Sequence, residues 1–435
     1  MSVELPKDWK SVKLGEVCNI QTGKYDANHA KPKGKYRFYT CAFEFMYCDT
    51  NRFKGESLIL PGNGANVGEV FYYNGEFDAY QRTYVLNEIK SFPKYLYYHL
   101  LGNWKRKNQD KQFGSATNYI RMGNFTDYEL PLPPKPTQLA IVCKIEELFS
   151  EIENGIQSLF TAKEQLKKYR QSVLKWAFEG KLTNGLNCEL YDLLDEDDLS
   201  IAAEPETDYR VGGNHNNQKN PKNDSSDEGE LPEGWKWVKI KDEADTFGGY
   251  AFKSAEFRSE GKYQVLRMGN IRPGILRYEE SPVFLDQADD TVLSRSLLKI
   301  NDVIITQTGT RKKRDYGFTV LIPKSHLLLN QRIAAIRFKE RYLPKFFLYF
   351  SWTDSFKDQF FANETGNVGQ GNVGMKAVTE TLIPFCSLEE QKSIVQAIES
   401  RLSVADKMEE SITESLQQAE ALKLSILKKA FEGRL

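Results

Sequence analysis

Few side chains in this sequence have the type and spacing for metal or acid–base catalysis. Asp78, followed by Glu88-Ile89-Lys90, matches the loose carboxylate spacing of metal-dependent nucleases. That pattern arises often by chance, and the corresponding part of the second half of the chain reads Arg337-Phe338-Lys339. Cys41 and Cys48 lie close together, but no second close pair or nearby histidine completes a zinc site. Catalysis therefore has little support, and no metal site is predicted.

A glycine-rich segment, Gly62–Gly68, superficially resembles a dinucleotide or phosphate loop. Such a loop must open a helix whose N-terminus faces the phosphate, whereas Glu69–Gly75 has the pattern of a strand and a turn. A hairpin is the stronger interpretation. The Asp/Asn-Pro-Pro-Tyr/Phe motif of adenine methyltransferases is also absent, because Leu132-Pro133-Pro134 lacks the acidic or amide residue.

Basic and amide side chains in loops favour nucleic-acid binding. Thr308–Arg314 places four consecutive cations in a turn between two predicted strands. A lone basic run is usually a solvated loop tip, but here other polar loops accompany it. The candidates in the second half are Arg267, Asn270, Arg272, Thr308, Thr310, Arg311, Lys312, Lys313, Arg314, Gln331, Arg332, Asn367, Gln370 and Asn372. Those in the first half are Asn63, Asn66, Gln81, Arg82, Lys105, Arg106, Lys107, Asn118, Tyr119 and Arg121. Arg can bind guanine and Asn or Gln adenine through paired hydrogen bonds, whereas Lys mostly holds phosphate.

The elements that must position these side chains are duplicated. Gln138–Leu182 and Gln391–Leu435 align without a gap at an offset of 253 residues. Each copy follows a globular region that opens on Leu-Pro-x-x-Trp, at Leu5 and at Leu231. The predicted segments are domain 1 (1–137), a central helix (138–182), a linker (183–230), domain 2 (231–390) and a C-terminal helix (391–435). Two similar halves in one chain suit a target that itself has two parts.

Both duplicated segments predict long helices with one apolar stripe. The stripe follows the 4-3 spacing of a heptad and contains Ile141, Ile145, Leu148, Ile152, Leu159, Leu166, Tyr169 and Val173 in the first copy. In the second copy it contains Ile394, Ile398, Met408, Ile412, Leu422 and Ile426. At 1.5 Å per residue, each segment would span roughly 68 Å. A stripe of that length needs a partner, and the other copy, paired antiparallel, is the simplest one. The alternative, in which each helix packs only on its own globular domain, fits the length poorly.

The two domains share a predicted frame. Ser57–Gly62 and Asp302–Gln307 are each predicted to form a strand that leads into a turn. In each domain a Gln-Arg pair then precedes another predicted strand: Gln81-Arg82 before Thr83–Leu86, and Gln331-Arg332 before Ile333–Ile336. Aromatic helices are predicted next, over Pro93–Trp104 and Pro344–Phe356. The segments between these landmarks differ in length and sequence, which predicts a common frame with different loops.

Charge is distributed unevenly along the chain. Residues 183–230 carry thirteen acidic and three basic side chains, while the whole chain has a net charge of −1. With few large apolar residues in its second half, this stretch predicts a solvated linker, although an acidic tether could also keep itself off DNA by repulsion. The remaining positive excess lies mostly in the two globular regions, as a phosphate-binding surface requires.

Composition indicates a cytoplasmic protein of more than one domain. The chain has 435 residues, of which 40% are hydrophobic and 27% charged. No apolar run approaches membrane-spanning length, and Met1–Trp9 carries charges in place of a signal sequence. Six cysteines in a chain of this length indicate reduced thiols.

Together these motifs resemble the specificity subunit of type I restriction-modification systems. The resemblance rests on the Leu-Pro-x-x-Trp openings, the proline-marked edges before Gln138 and Gln391, and the two Phe-Glu-Gly-Lys/Arg-Leu helix ends. It implies an α+β fold in which two mixed α/β target recognition domains are joined by an antiparallel coiled coil with pseudo-two-fold symmetry. Each domain would read one half of a bipartite, asymmetric double-stranded DNA target, and the paired helices would set the spacing.

The resemblance also implies partners and a division of labour. The subunit would have no catalytic activity and no cofactor of its own. Two modification subunits would use S-adenosylmethionine to methylate adenine at N6, and restriction subunits would use ATP and Mg²⁺ to translocate and cleave DNA. Two rival functions stay open at this point. One is a self-contained nuclease or methyltransferase, and the other is a coiled-coil scaffold that binds protein and not DNA.

Overall fold

A computed structural model describes residues 6–113, 118–182 and 231–435. The chain divides into two compact units, residues 1–162 with 411–435 (unit 1) and residues 163–410 (unit 2). Each unit contains one globular domain together with part of both long helices. The predicted linker, 183–230, lies outside the described residues, as does Leu5 of the first opening motif.

Over its described residues, unit 1 contains eight strands, three shorter α-helices and parts of two long helices. In chain order the elements of its globular domain are β1 (Lys10–Lys13), α1 (Leu14–Val17), β2 (Asn19–Thr22), β3 (Tyr36–Tyr39), β4 (Met46–Cys48), β5 (Phe53–Pro61), β6 (Phe71–Ala79), β7 (Thr83–Asn87), α2 (Pro93–Asn108), α3 (Met122–Thr126) and β8 (Glu129–Leu132), followed by the long helix α4 (Lys135–Phe178). Six strands form a sheet in the order β2-β7-β5-β6-β3-β4, and β1 pairs with β8. The sheet packs on α2 through a core that includes Leu58, Leu86 and Trp104.

The glycine-rich segment Gly62–Gly68 joins β5 to β6. These strands pair antiparallel, from Phe53 opposite Phe77 to Ile59 opposite Phe71. The predicted hairpin is therefore confirmed, and the segment does not open a helix as a phosphate loop must. The polar residues of the loop lie instead at one end of the central strands β5 and β6.

Unit 2 repeats this frame with different surroundings. Its globular elements are β9 (Lys236–Lys239), α5 (Ile240–Glu243), β10 (Ala244–Gly248), β11 (Tyr263–Leu266), β12 (Ile271–Arg272), β13 (Ile275–Leu276), β14 (Phe284–Leu285), α6 (Asp290–Ser296), β15 (Val303–Thr306), β16 (Thr308–Thr310), β17 (Thr319–Leu321), β18 (Leu327–Leu329), β19 (Ile333–Phe338), α7 (Pro344–Phe350), α8 (Asp354–Ala362), β20 (Thr365–Gly366), β21 (Gln370–Asn372), α9 (Met375–Glu380) and β22 (Leu382–Phe385), followed by the long helix α10 (Leu388–Phe431). The central order β10-β19-β15-β17 matches β2-β7-β5-β6 of unit 1.

The helix predicted over Pro344–Phe356 is two helices, so that prediction is wrong in its extent. The Ser351 hydroxyl donates to the Leu348 carbonyl oxygen at 2.6 Å, and the Thr353 side chain accepts from Phe356 N at the start of α8. Short hydroxyl side chains compete with the helical backbone in this way, so a break with a new N-cap replaces one continuous helix.

Each long helix has 44 residues, and each is displaced toward the N-terminus relative to its predicted bounds of 138–182 and 391–435. The early stop has the same cause in both. Gly180 and Gly433 each have φ +73°, a left-handed conformation that favours glycine. Beyond them Lys181 N donates to Trp176 O and Arg434 N to Lys429 O, at 3.0 and 2.9 Å. These bonds close the helix ends as a Schellman motif does.

The opening proline of each domain packs against one of these glycines. A Cβ on Gly180 would lie 2.7 Å from Pro232 Cγ, and one on Gly433 would lie 2.7 Å from Pro6 Cγ. The Leu-Pro-x-x-Trp opening and the Phe-Glu-Gly helix end are therefore two parts of one junction. In unit 1 that junction joins domain 1 to the end of α10, and in unit 2 it joins domain 2 to the end of α4.

Gln138 and Gln391, near the start of each long helix, anchor the domain that precedes them. Gln138 Oε1 accepts from Phe92 N at 2.8 Å, and Gln391 Oε1 accepts from Leu343 N at 2.7 Å. Both glutamines are buried and also donate to the proline-marked edge strand or the loop after it, at Pro133 O and Cys386 O. The start of each helix is thus held by an equivalent set of hydrogen bonds.

Within each unit the two long helices run antiparallel, as predicted. In unit 2, Arg170 Nη2 of α4 lies 2.7 Å from Asp406 Oδ1 and 3.1 Å from Glu409 Oε2 of α10. In unit 1, Lys423 Nζ lies 3.6 Å from Glu153 Oε1. Also in unit 2, Lys163 Nζ lies 3.9 Å from Glu409 Oε1, so rising residue numbers in α4 face falling numbers in α10, as an antiparallel pair requires.

The predicted apolar stripe is correct for most of its length. Ile141, Ile145, Leu166, Tyr169, Val173, Ile394, Ile398 and Ile426 are buried, and Leu148, Ile152, Leu159 and Ile412 are half-buried. Met408 and Leu422 were assigned to the stripe wrongly, since they are 42% and 51% exposed. After Ala405 the next half-buried position is Glu409 and not Met408, because a helix of 3.6 residues per turn drifts away from a strict heptad.

None of the helices in the described residues is long and apolar enough to span a bilayer.

Candidate nucleic-acid interface

The two Gln-Arg pairs occupy equivalent positions in the two domains. Gly62 N, just after β5, donates to Arg82 O at 2.9 Å, and Gln307 N, just after β15, donates to Arg332 O at 2.9 Å. In domain 1 the Gln-Arg pair directly precedes β7, the neighbour of β5 in the sheet, and in domain 2 it directly precedes β19, the neighbour of β15. The same main-chain hydrogen bond therefore fixes both arginines relative to the central strands.

The chain that returns toward α3 or α9 completes this correspondence. Ile120 N donates to Gly62 O at 2.9 Å, and Val373 N donates to Gln307 O at 2.8 Å. Tyr119 in domain 1 and Asn372 in domain 2 thus occupy equivalent positions. Tyr119 lies opposite Asn63, the residue after Gly62, and Asn372 lies opposite Thr308, the residue after Gln307. The frame is shared, whereas the side chains on it differ.

In domain 1 this frame encloses a cavity of about 400 Å³. Four of the predicted contact residues line it: Asn63, Gln81, Arg82 and Tyr119. Thr22 and Tyr84 also line it and were missed by the sequence analysis. Both belong to strands, since Thr22 of β2 pairs with Tyr84 of β7. A strand residue that also lines a cavity carries no local sequence signal of that role.

Arg121 and Lys107 line a second, wider cavity in domain 1, of about 890 Å³. The Arg121 guanidinium lies 4.2 Å from the ring centre of Phe113, and its Nη2 donates to Tyr119 Oη at 3.1 Å. Lys107 Nζ donates to Glu129 O at 2.7 Å. Since Tyr119 lines the first cavity, Arg121 connects the two cavities, and Asn118 is exposed beside it.

Three further predicted residues of domain 1 also have partners within the domain. Lys105 Nζ pairs with Glu69 Oε1 at 3.2 Å, and Arg106 Nη2 donates to Asn103 Oδ1 at 3.1 Å. Asn66 Nδ2 donates to Cys41 O at 2.9 Å, which holds the two loops together. These residues stay predictions as DNA contacts, but each would have to exchange an internal contact for one with DNA.

In domain 2 the corresponding cavity has a volume of about 440 Å³. Arg272, Thr308, Thr310, Arg332 and Gln370, all of them predicted, line it. Met268 and Phe318, which were not predicted, add apolar surface.

Asp315 also lines the cavity of domain 2 and was not predicted. Its Oδ1 accepts from Thr310 N at 2.5 Å, and this backbone hydrogen bond is the main cause that lowers the pKa of the Asp315 carboxyl. The cavity therefore combines guanidinium groups with a carboxylate, so it offers both donors and an acceptor to a ligand. An acceptor of this kind can take a hydrogen bond from a base but is repelled by phosphate.

The predicted basic turn, Arg311–Arg314, is confirmed as a turn between β16 and β17 and is tied to the next hairpin. Arg311 Nε donates to Glu364 Oε2 at 2.9 Å, and the Tyr316 hydroxyl donates to the other oxygen of the same carboxylate. Glu364 retains only 10% of its side-chain exposure. The hydrogen bond from Tyr316 and the nearby Arg311 lower the pKa of Glu364, while burial raises that of Tyr316.

Within the turn only some of the cations are engaged. The Arg314 guanidinium lies 4.8 Å from the ring centre of Phe361, whereas Lys312 and Lys313 are exposed. The hairpin of β20 and β21 is also ordered locally, since Asn367 Oδ1 accepts from Gly369 N and Gln370 N at 3.0 and 2.8 Å. Asn372 is exposed at the end of that hairpin. Turn and hairpin together form one pre-ordered polar surface.

Two predicted contact residues of domain 2 are interior instead. Asn270 is 5% exposed: its Nδ2 donates to Arg277 O and Glu280 O, both at 3.0 Å, and its Oδ1 accepts from Arg267 N. Thr308 is 6% exposed, and its hydroxyl contacts Met268 Sδ at 3.1 Å. Their hydrogen-bonding groups are used inside the domain, which makes both unsuitable for direct contact with DNA. Arg267 also donates inward, to Ser281 O at 2.7 Å.

The residues of the nuclease-like pattern do not meet. Asp78 is fully buried and accepts from Thr50 Oγ1 at 2.6 Å, and Lys90 Nζ donates to Glu16 O at 3.0 Å. Over the part of the chain that the structure describes, no group of three or more His, Cys, Asp or Glu side chains could hold a metal ion. Asp78 is thus a structural residue of β6.

Gln331 is exposed beside Arg332, as Gln81 is beside Arg82.

Residues 6–160 and 232–418 match the family described as the type I restriction modification DNA specificity domain. The EcoDI specificity subunit of Escherichia coli is 29% identical over 435 residues, which cover 99% of this chain and 90% of that protein. The MjaVIII specificity subunit of Methanocaldococcus jannaschii is 23% identical and covers 100% of this chain and 94% of its own length.

Solved structures show the same fold. A chain from a type I restriction-modification system superposes with a TM-score of 0.69 at 16% identity, covering 99% of this chain and all of that one. The HsdS subunit of Thermoanaerobacter tengcongensis gives a TM-score of 0.53 at 17% identity and covers 100% of this chain and 99% of its own.

Proposed function

This chain belongs to the specificity subunits of type I restriction-modification systems, which recognise DNA and are not catalytic, and from that premise we propose that its two domains read the two halves of a bipartite, asymmetric DNA target. Domain 1 reads one half-site through the cavity around Arg82, and domain 2 reads the other through the cavity around Arg332. The proposal is carried by one observation: equivalent cavities on a repeated frame are lined by different side chains.

The difference in lining supports different half-sites. Asn63, Gln81 and Tyr119 line the cavity of domain 1, whereas Arg272, Thr310 and Gln370 line that of domain 2. Among the described residues, Asp315 adds a carboxylate to the second cavity alone. Sequence discrimination depends on the pattern of donors and acceptors that meets the base edges. Two cavities with different patterns therefore favour two different base sequences, which makes the complete target asymmetric.

The long helices would set the distance between the half-sites. Each is 44 residues long and unbroken, and each begins in one unit and ends in the other. Because the pair is antiparallel and cross-linked by ion pairs such as Arg170–Asp406, it resists sliding. A spacer of constant length between variable readers is the arrangement that a bipartite target requires.

Partner subunits would supply the chemistry. We expect two modification subunits that use S-adenosylmethionine to methylate adenine at N6, and restriction subunits that use ATP and Mg²⁺, so that this chain needs no cofactor. The complex would act in the cytoplasm on double-stranded DNA. The family to which the chain belongs, whose members serve as DNA-recognition subunits, supports this division of labour.

Exchange of one domain tests the proposal. Residues 1–137 are replaced by the equivalent domain of another specificity subunit, with Pro6, Trp9 and Tyr95 kept so that the packing on the helices survives. The methylated motif is then mapped by long-read sequencing in cells that carry the complete system. We expect one half-site to change and the other half-site and the gap to persist. The matched control, exchange of 231–390, should change only the other half-site, and a change in both half-sites after either exchange would refute the proposal.

The two rival functions give different results in simple assays. A self-contained nuclease or methyltransferase would turn over when the purified chain alone meets DNA with metal or methyl donor, whereas we expect no turnover. A protein scaffold would bind the modification subunit but show no salt-dependent affinity for DNA. The assembled complex should instead bind DNA with an affinity that falls steeply as salt rises.

A further inference from the structure

Arg82 and Arg332 differ from the other arginines of the predicted interface. Six of the eight have a contact within the chain: Arg106 with Asn103, Arg121 with Tyr119, Arg267 with Ser281, Arg272 with the Ile271 carbonyl oxygen, Arg311 with Glu364, and Arg314 with Phe361. The guanidinium groups of Arg82 and Arg332 have none among the described residues, and both residues are exposed. Neither side chain therefore stabilises the fold.

The main chain of both arginines is nevertheless held by equivalent hydrogen bonds, although φ of Arg332 is +68° and Arg82 does not adopt that left-handed conformation. Each carbonyl oxygen accepts at 2.9 Å from the residue that follows the neighbouring strand. The preceding glutamines are fixed as well, since Gln81 N donates to Tyr25 O and Gln331 N to Tyr250 O, at 2.9 and 3.0 Å. A free cationic side chain on a rigid backbone position is prepared for a ligand outside the protein.

The surroundings of the two arginines are not alike. Asn63 and Tyr119 line the cavity of domain 1, whereas Arg272, Thr310 and Gln370 line that of domain 2, where Asp315 adds a carboxylate. If the domains read different bases, a residue that is identical in both must contact what the two half-sites have in common. Every DNA half-site presents the same phosphodiester groups, whatever its sequence.

We propose that Arg82 and Arg332 bind backbone phosphates at corresponding points of the two half-sites and so fix the register of each domain on the duplex. The inference rests on the proposed function and adds a division within each cavity. The shared arginine positions the domain, and the side chains that differ select the bases. Guanidinium suits this task because it is always charged and donates to phosphate through two parallel N–H groups.

The test uses the full chain assembled with its modification subunits. Affinity is measured over a range of salt concentrations for a duplex that contains the mapped target and for an unrelated duplex of equal length. Arg82→Gln and Arg332→Gln should each weaken binding about tenfold on both duplexes. Each should also lower the slope of log affinity against log salt by about 0.9, which is the effect of one lost phosphate contact on B-DNA.

Charge-preserving and matched control variants separate a phosphate contact from a base contact. Arg82→Lys and Arg332→Lys should restore most of the affinity, because a phosphate accepts an ammonium as a point charge whereas a bidentate base contact does not. Arg258→Gln, which removes an equally exposed arginine outside both cavities, should leave affinity and slope unchanged.

Three outcomes would overturn the inference: unchanged affinity in the Gln variants, a loss confined to the target duplex, or a change in the methylated half-site that lysine does not rescue. The last two would show a base contact in place of a phosphate contact. If the wild-type complex itself bound neither duplex, the proposed function would fail, which is a distinguishable result.

Discussion

Lengthening both long helices by four residues tests the role of the helix pair as a spacer. Glu153 faces Lys423 and Arg170 faces Asp406, so the junctions Ala162–Lys163 in α4 and Thr413–Glu414 in α10 lie opposite each other. Insertions at both points preserve the ion pairs of Glu153 with Lys423 and of Arg170 with Asp406. Four residues add about 6 Å to each helix. At about 3.4 Å per base pair, the two half-sites should move apart by about two base pairs.

Rotation favours four residues over a full heptad. Four residues turn an α-helix by about 40° beyond a complete turn, and two base pairs turn DNA by about 70°, in the same sense. Seven residues add about 10 Å but turn the helix by about −20°, whereas three base pairs turn DNA by about 100°.

The assay is the methylated motif mapped in cells that carry the complete system. With four residues in both helices, we expect unchanged half-sites and a gap longer by about two base pairs. With seven residues in both, methylation should fall because the second domain no longer faces its groove. Four residues in α4 alone should abolish methylation, since the insertion separates Arg170 from Asp406 while the rest of the pair keeps its register. An active double insertion with an unchanged gap would refute the spacer role.

Two further predictions concern the stability of the fold and are checked by urea denaturation. Gly433→Ala should lower the free energy of unfolding by about 1–2 kcal/mol, because φ of Gly433 is +73° and Pro6 blocks the new Cβ. Gly155→Ala, in open space within α4, should instead raise it by about 0.5–1 kcal/mol. Equal effects of the two variants would contradict this account. Burial lowers the pKa of His99 from 6.5 to about 3, so the unfolded chain binds more protons between those values and stability should be about 2 kcal/mol lower at pH 5 than at pH 7.5 from this residue. His99→Phe should remove that part of the pH dependence, and an unchanged dependence would show that another group causes it.

The duplicated frame could be predicted from the sequence because it is written in local patterns. Strands before the Gln-Arg pairs, the antiparallel helices and the hairpin at Gly62–Gly68 all follow from periodicity or from turn residues. The structural role of the Phe-Glu-Gly helix ends could not be predicted from the sequence, because it depends on contacts with Pro6 and Pro232, which lie far away in sequence. Repetition shows that a motif matters before it shows what the motif contacts.

The candidate site was predictable only in part. Polar loops marked Arg82 and Arg332, which line the two cavities, and their contact with DNA stays a prediction. Asn270 was misassigned because an amide that satisfies three backbone groups inside the domain looks the same in sequence as one that faces a ligand. Asp315 was missed because, in the sequence, a carboxylate beside a basic run resembles a simple counter-charge. Only the fold places this carboxylate at the cavity.

Glu364 illustrates the limit most clearly. Its carboxylate joins the basic turn to the next hairpin through Arg311 and Tyr316, residues 53 and 48 positions away in sequence. No local pattern marks such a contact, because the partners meet only after the sheet has formed. The side chains that orient a recognition surface are therefore harder to predict than the ones that cover it.

The most direct test of the central claim is the methylated motif of the unaltered system, mapped by long-read sequencing in cells with and without this chain. Two domains with different cavities on one helical spacer predict two short specified half-sites of different sequence, separated by a gap of unspecified bases and methylated only when the chain is present. A single uninterrupted motif, or methylation that persists without the chain, would contradict it.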